Sequence, residues 1–446
     1  MMSERKNIIF YFSDQQRWDT VNDQVTPNLI ALAEEGVKFE RSFTCQPVCG
    51  PARACLQTGV NATQNGCFKN GIALPRDIKP LAEYFNEAGY DTAYIGKWHL
   101  ASDDRPNHAF HCEKTAVPRD RQGGYRYWRA ADVLEFTSHG YDGYVFDEAG
   151  NKLNFEGYRP DCINDYALEY LESGREPGKP FFLFISQLEP HHQNDHGRYE
   201  GYRETVADYR DYPIPEDLSF LKGDYREQYP DYISAINRLD YNVGRLVAKL
   251  KELGIYEDTV IIYTSDHGSH FKTRNLEYKR SCHEASIHTP LIIRGGAFQG
   301  GKREERLVSL LDLPPTMLSL AGIPIPDSYV GHDLTPMMTS DRPNRDCVFI
   351  QISESQCGRA VRTPRYTYSV RARGGMGAGM IKSASNVYYE DFLYDLKEDP
   401  FEKHNLIKSH AHREVRRQLR EMLLREMEKA GEAEPVIRKP LLARKK

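Results

Sequence analysis

Apolar residues in this chain follow two patterns. Up to residue 340 they form short continuous runs separated by stretches with a period of three to four, and beyond it they form alternating runs with no helical stretch between them. Residues 7–12 (Asn-Ile-Ile-Phe-Tyr-Phe) are one such continuous run, as expected of a strand covered on both faces in a parallel sheet. Residues 91–95, 180–186 and 259–265 repeat it. Between the runs, Thr26-Pro27 opens a helix that Gly36 closes, and residues 78–88 read as helical. Ile233, Ile236, Leu239, Val243, Leu246, Val247, Leu250 and Leu253 mark one face of a long helix over 231–253. This alternation predicts an α/β fold, a large mostly parallel sheet sandwiched by helices over residues 1–340.

Residues 123–158 are aromatic, basic and weakly periodic, and read as an insertion at the substrate end. After residue 341, runs at 348–350, 360–362, 366–370 and 393–396 predict an antiparallel sheet, with 374–379 a loose loop. Val415, Leu419, Met422, Leu423 and Met427 form one stripe on a final helix that would pack on that sheet. Residues 341–446 are therefore expected to form a smaller C-terminal α+β subdomain.

The polar residues that end the buried runs change the picture. They read Ser13-Asp14-Gln15, Gly96-Lys97-Trp98-His99-Leu100, Pro190-His191-His192 and Ser265-Asp266-His267-Gly268. In open α/β sheets chemistry collects at the carboxyl ends of strands, so these groups are candidates to meet. Asp14, Asp266 and His267 offer carboxylate and imidazole donors suited to calcium, magnesium or manganese. Cys49-Gly50-Pro51-Ala52-Arg53, followed by Thr58-Gly59, places a cysteine at a helix N-terminus, where partial positive charge favours an anion. Arg53 follows one turn later with a planar, always charged donor fork.

Composition narrows the classes. The 446 residues exceed what one core usually organises, and a formal charge of -5 gives no sign of a nucleic-acid protein. Nine scattered cysteines, an odd number, argue against a disulfide framework. The run at 8–12 is too short for a signal-peptide core, and no apolar stretch is long enough to span a membrane, so a soluble cytoplasmic protein without a membrane partner is expected.

Taken together, Asp14, Cys49 to Arg53, Gly96 to Leu100, Pro190-His191 and Ser265 to Gly268 occur in the order found in sulfatases and their alkaline-phosphatase-like relatives. Lys279 then precedes Glu284-Ala285-Ser286-Ile287-His288-Thr289-Pro290, and the chain resembles that family over most of its length. Leu393-Tyr394-Asp395-Leu396, with Asp399-Pro400 and Asn405-Leu406, is similar to its small C-terminal subdomain. The resemblance implies a sulfuric ester hydrolase whose Cys49 is oxidised by a maturing enzyme to formylglycine, an aldehyde whose hydrate is the nucleophile. It implies a metal, calcium first and magnesium or manganese next, held by Asp14, Gln15, Asp266, His267 and the group at Cys49. Arg53 would orient the hydrate, Lys97 and Lys279 would face sulfate oxygens, His191 or Lys279 would protonate the leaving alcohol, and His99 would take a proton from the second hydroxyl. His192, His283 and His270 carry no assigned role.

One position departs from the family. Many sulfatases place an aspartate directly after the first, and this chain has Gln15, which removes a negative charge from the metal site. The substitution keeps phosphonate monoester or phosphodiester hydrolysis open as a rival. A sulfated-ligand binder in which Cys49 stays a thiol is a second rival. The expected substrate is a sulfated carbohydrate or small molecule. Arg126-Tyr127-Trp128-Arg129 is either an aromatic and basic wall for it or a segment packed over the sheet.

Overall fold

The computed structural model describes residues 5–342 and 344–440. Residues 1–4 and 441–446, the outer ends of the two expected segments, lie outside the described residues with residue 343. Eleven strands among the described residues form one mixed sheet. They are β1 (Asn7–Ser13), β2 (Val37–Phe39), β3 (Asp91–Lys97), β4 (Tyr127–Ala131), β5 (Ser138–His139), β6 (Asp142–Asp147), β7 (Lys152–Glu156), β8 (Phe181–Ser186), β9 (Thr259–Ser265), β10 (Leu291–Arg294) and β11 (Lys302–Glu304). Their order is β11-β2-β10-β9-β1-β8-β3-β4-β6-β5, with β7 paired to β6. The five central strands, β9-β1-β8-β3-β4, are mutually parallel, and antiparallel pairs flank them on both sides.

Period two along β1 explains the layers, because successive side chains point to opposite faces. Ile8, Phe10 and Phe12 enter one core, and Ile9 and Tyr11 enter the other. The first core is covered by α2 (Cys49–Thr58), α3 (Leu81–Glu87) and α6 (Leu313–Leu320), and the second by α1 (Pro27–Glu35), α4 (Arg159–Glu169) and α5 (Tyr225–Glu252). Helix α3 starts three residues later than expected because Pro80 stands at its N-cap in an extended conformation. Helix α5 begins at Tyr225 and carries Pro230 in its second turn. None of the helices among the described residues is long and apolar enough to cross a membrane.

The segment expected as an insertion is sheet. β4 pairs in parallel with β3, from Ala93 opposite Tyr127 to Lys97 opposite Ala131. Its weak periodicity has a physical cause: Trp128, Ala130 and Ala131 are buried, while Arg129 lies along the strand and pairs with Glu148. β6 and β7 then continue the sheet as an antiparallel hairpin.

The C-terminal sheet runs β12-β13-β14-β15-β16, formed by Val348–Ile352, Gly358–Arg362, Tyr366–Ala372, Val387–Asp395 and Val436–Arg438. Its first three pairings are antiparallel, and β16, which the sequence reading did not anticipate, joins in parallel. The expected loose loop contains a short helix, Met376–Ile381, opened by Gly375 at φ 55°. Helix α7 (Arg413–Lys429) buries Leu419, Leu423 and Met427 against Val361, Val370 and Leu393.

Candidate active site

Register brings the polar strand ends together. Ser13 stands opposite Ser265, Phe12 opposite Ser186, and Ser186 opposite Gly96, so Asp14, Lys97 and Asp266 leave the sheet at one level. Gly96 is required for the close approach of β3 and β8. Its φ is 106°, and a Cβ there would lie 1.9 Å from the Ser186 carbonyl oxygen. Helix α2 starts at Cys49 above these ends, and the Gly50 N–H, free in the first turn, donates to Asn70 Oδ1 at 2.9 Å.

Cys49 is 1% exposed and its Sγ is the point where the groups converge. Lys279 Nζ donates to it at 2.8 Å, His267 Nε2 lies 3.2 Å away, and Asp14 Oδ1 lies at 3.3 Å. Burial pushes the thiol up, but Lys279, Lys97 and His267 outweigh it and hold it well below the usual thiol range. Lys97 Nζ donates to Asp14 Oδ2 at 2.7 Å, and His191 Nε2 lies 3.1 Å from Lys279 Nζ. Burial and the two lysines lower His191, which keeps its ring neutral. His99 lines the same cavity with positive φ and a buried Nδ1 that has no partner.

Arg53, expected to orient the hydrate, bonds to groups at the strand ends. Its guanidinium donates to Asp14 Oδ2 at 2.9 Å, the Lys97 carbonyl at 2.9 Å and Ser186 Oγ at 2.6 Å. It therefore positions the carboxylate at the strand end. Gln15 lines the cavity with φ 71°. Its Nε2 donates to Tyr199 Oη at 2.6 Å and to Ser269 Oγ, and its backbone N–H donates to Asp266 Oδ1. These contacts fix the residue that replaces the family's second aspartate.

The residues present fit a divalent cation. One donor atom from each of Asp14, Cys49, Asp266 and His267 lies within 4.8 Å of the others, all fully buried. Asp266 Oδ2 is buried with no hydrogen-bond partner. Burial and the adjacent Asp14 push Asp266 up to about 7, because two neighbouring carboxylates resist joint ionisation. A cation between them removes that conflict. Burial opposes ionisation of Asp14 too, but the Lys97 and Arg53 cations keep it below the usual carboxylate range.

Several wall residues escaped the sequence reading. The cavity of about 120 Å³ is also lined by Asn70, Glu135, Asn194, Glu277, Tyr278 and Arg280. Glu135 Oε2 lies 3.2 Å from His191 Nδ1 and sits in the misread segment. Glu354, from the loop after β12, accepts from the Asn70 N–H at 2.7 Å and pairs with Arg280, so the C-terminal part braces the wall. No motif marks these positions. Of the unassigned histidines, His192 stacks on Tyr278, with ring centroids 4.3 Å apart. His270 Nε2 lies 3.0 Å from the Lys279 carbonyl, and His283 Nε2 lies 3.2 Å from Tyr394 Oη.

Of the two readings of residues 126–129, the packed one holds. The Arg126 N–H donates to the Thr92 carbonyl near the start of β3, at the opposite end of the strand from Lys97. Trp128 is fully buried, its ring 5.3 Å from that of Tyr94 and 5.5 Å from that of Trp98, so the segment is core. A larger groove of about 560 Å³ lies beside Trp18, Tyr212 and Phe401. It holds no nucleophile, and its Asp217 and Glu284 are paired to Arg17 and Arg362.

Comparison with known proteins agrees with this geometry. The sulfatase family profile matches residues 6–323, and the profile of the N-sulphoglucosamine sulphohydrolase C-terminal region matches 275–429. An ulvan-active sulfatase of Formosa agariphila is 29% identical over 429 residues, covering 90% of this chain and 77% of its own. An N-acetylglucosamine-6-O-sulfatase of Bacteroides thetaiotaomicron is 24% identical over 511 residues, covering 94% of this chain and 86% of its own. A structure solved with its substrate D-glucosamine-2-N,6-O-disulfate superposes with a TM-score of 0.80 at 22% identity, covering 97% of this chain and 99% of the other. With the ordered motifs meeting at one strand-end cavity and the family profile spanning most of the chain, the protein belongs to the sulfatase family and is a sulfuric ester hydrolase.

Proposed function

We propose that the protein releases sulfate from a sulfated carbohydrate, using a formylglycine made from Cys49 and a divalent metal. The observation that carries the reading is the placement of the Cys49 Sγ 2.8 Å from Lys279 Nζ, 3.2 Å from His267 Nε2 and 3.3 Å from Asp14 Oδ1. Matured to the aldehyde, position 49 would supply a hydrate with two hydroxyls, one to attack and one to release the product. An ion held by Asp14, Asp266 and His267, with Gln15 beside them, would supply Lewis-acid polarisation, and calcium is the first choice for this oxygen-rich set.

The chain's own groups divide the remaining work. Lys97 and Lys279 present buried cations where sulfate charge develops, and such preorganised charges each contribute roughly 3–4 kcal/mol to rate. His191 bonds the His192 carbonyl through Nδ1 at 2.6 Å, with Glu135 beside it, so its Nε2 accepts from Lys279, and this pair would pass the Lys279 proton to the leaving alcohol. His99, with its unpartnered ring nitrogen, is placed to accept a proton from position 49. A small cavity of about 120 Å³ favours a terminal sulfated sugar over the interior of a polymer. Sulfated-carbohydrate specificity in the relatives supports the substrate class. All nine cysteines are free thiols, which supports a reducing compartment such as the cytoplasm.

The test uses protein whose position-49 peptide carries the aldehyde mass. Sulfate release from sulfated mono- and disaccharides is compared with cleavage of an aryl phosphonate. The expected result is a kcat/KM for one sulfated sugar at least a thousandfold above the phosphonate. Preferential phosphonate cleavage sinks the reading in favour of the rival reaction, and a position-49 peptide from the native host that carries only the thiol mass sinks it in favour of the binder.

A further inference from the structure

A second cluster of ligand-type side chains lies outside the catalytic cavity. His139 ends β5, and Asp195 and His196 sit in the turn closed by the bridge between Gln193 and Arg198. One donor atom from each of the three lies within 4.8 Å of the others. His139 Nε2 is 2.9 Å from Asp195 Oδ2, and the two imidazole rings stack at 4.2 Å with 13° between their planes. Two imidazoles and one carboxylate differ from the oxygen-rich buried cluster, and they match the preference of zinc and neighbouring transition metals.

The groups behind these side chains are arranged as metal sites require. Glu200 Oε1 accepts from His196 Nδ1 at 2.6 Å, which leaves Nε2 as the free donor of that ring. Glu200 is itself held by the Gly140 N–H at 2.7 Å, next to His139. Gln193 Nε2 donates to Asp195 Oδ1 at 2.7 Å, leaving Oδ2 turned toward the histidines. The other exposed cluster, Asp104, His111 and Glu113, has a single imidazole, and its His111 pairs with both carboxylates.

We propose that His139, Asp195 and His196 bind a divalent ion of the zinc class, oriented by Glu200 and Gln193. The ion ties the 191–200 turn to the 134–140 segment at the mouth of the catalytic cavity. Both segments already contribute to its wall, since Asn194 Nδ2 donates to Glu135 Oε1 at 3.0 Å and Glu135 faces His191. Zinc would replace the His139–Asp195 hydrogen bond with a three-point clamp and a water-filled fourth position, and would restrain the Glu135–His191 pair.

Zinc chloride is titrated into the full chain with the buried cluster saturated by calcium, and uptake is read by calorimetry and by metal content after gel filtration. The wild type is expected to hold one zinc more per chain than the H139A/H196A double variant. E200Q is expected to bind that zinc about 10–100-fold more weakly, the usual loss when the carboxylate behind a metal-bound histidine goes. Hydrogen exchange in residues 191–200 is expected to slow with zinc in the wild type alone. Equal zinc uptake by wild type and double variant overturns the proposal, as does a wild type with no saturable zinc site. The exposed H196Q variant serves if the double variant does not fold. Sulfate release from a sulfated sugar is recorded separately, so failure of the clamp and failure of the sulfatase reading are distinguishable.

Discussion

The floor and the wall of the cavity are built differently. The floor, Asp14, Lys97, Asp266 and His267, sits at the ends of three central strands locked in parallel register and is at most 1% exposed. The wall, Asn70, Glu135, Asn194, Glu277 and Arg280, comes from loops and short turns, and Asn194 is exposed. Rigid strands hold charges that water would otherwise screen, and loops carry groups that can differ without disturbing the sheet. On the proposed function, most reacting groups belong to the floor, Lys279 reaches Cys49 from a loop, and the remaining wall residues are the expected ligand contacts.

Cys49, above the floor, gives the largest expected effect. Cys49→Ala should lower sulfate release by at least about 10⁴-fold with an unchanged circular-dichroism spectrum, as loss of a covalent nucleophile does elsewhere. Near-normal turnover would dissolve the distinction. Lys279→Ala should cost about 10²–10³-fold, seen in kcat more than KM, as expected of a charge aimed at the transition state. Trp128→Ala tests the corrected placement. It should lose about 3–5 kcal/mol in denaturant unfolding and leave KM of the folded enzyme unchanged, whereas a rise in KM without instability would restore the residue to the substrate wall. Arg280→Ala, at the wall, should raise KM about tenfold, near 1.4 kcal/mol, with kcat changed little. A larger loss in kcat would move Arg280 to the floor.

The same contrast explains what was legible in the sequence. Floor residues follow continuous apolar runs, and a buried strand end admits few residue types, so Asp14, Lys97 and Asp266-His267 stood out. The strand at Tyr127–Ala131 was missed because Arg129 and Tyr127 interrupt the apolar run, and the segment was read by composition instead of by its pairing with β3. Glu135 was lost with it. Asn70 and Arg280 were invisible because their roles depend on Glu354, 284 residues beyond Asn70. Arg53 was found, but its bonds to Asp14, Ser186 and the Lys97 carbonyl were not, since spacing within α2 says nothing of which group waits across the sheet.

If Cys49 is modified as proposed, its burial sets an order of events during biosynthesis. A side chain 1% exposed and ringed by Lys279, His267 and Asp14 is out of reach of another protein's active site once the sheet has closed. The closing contacts come from Lys279 and His267, more than two hundred residues after Cys49, so the emerging chain leaves the cysteine open until the second half of the catalytic region has been made. On the proposed chemistry, the maturing enzyme works within that interval. If position 49 is matured as proposed, a chain that folds first would be trapped as a thiol, and the share of active protein would be set by a race between oxidation and folding.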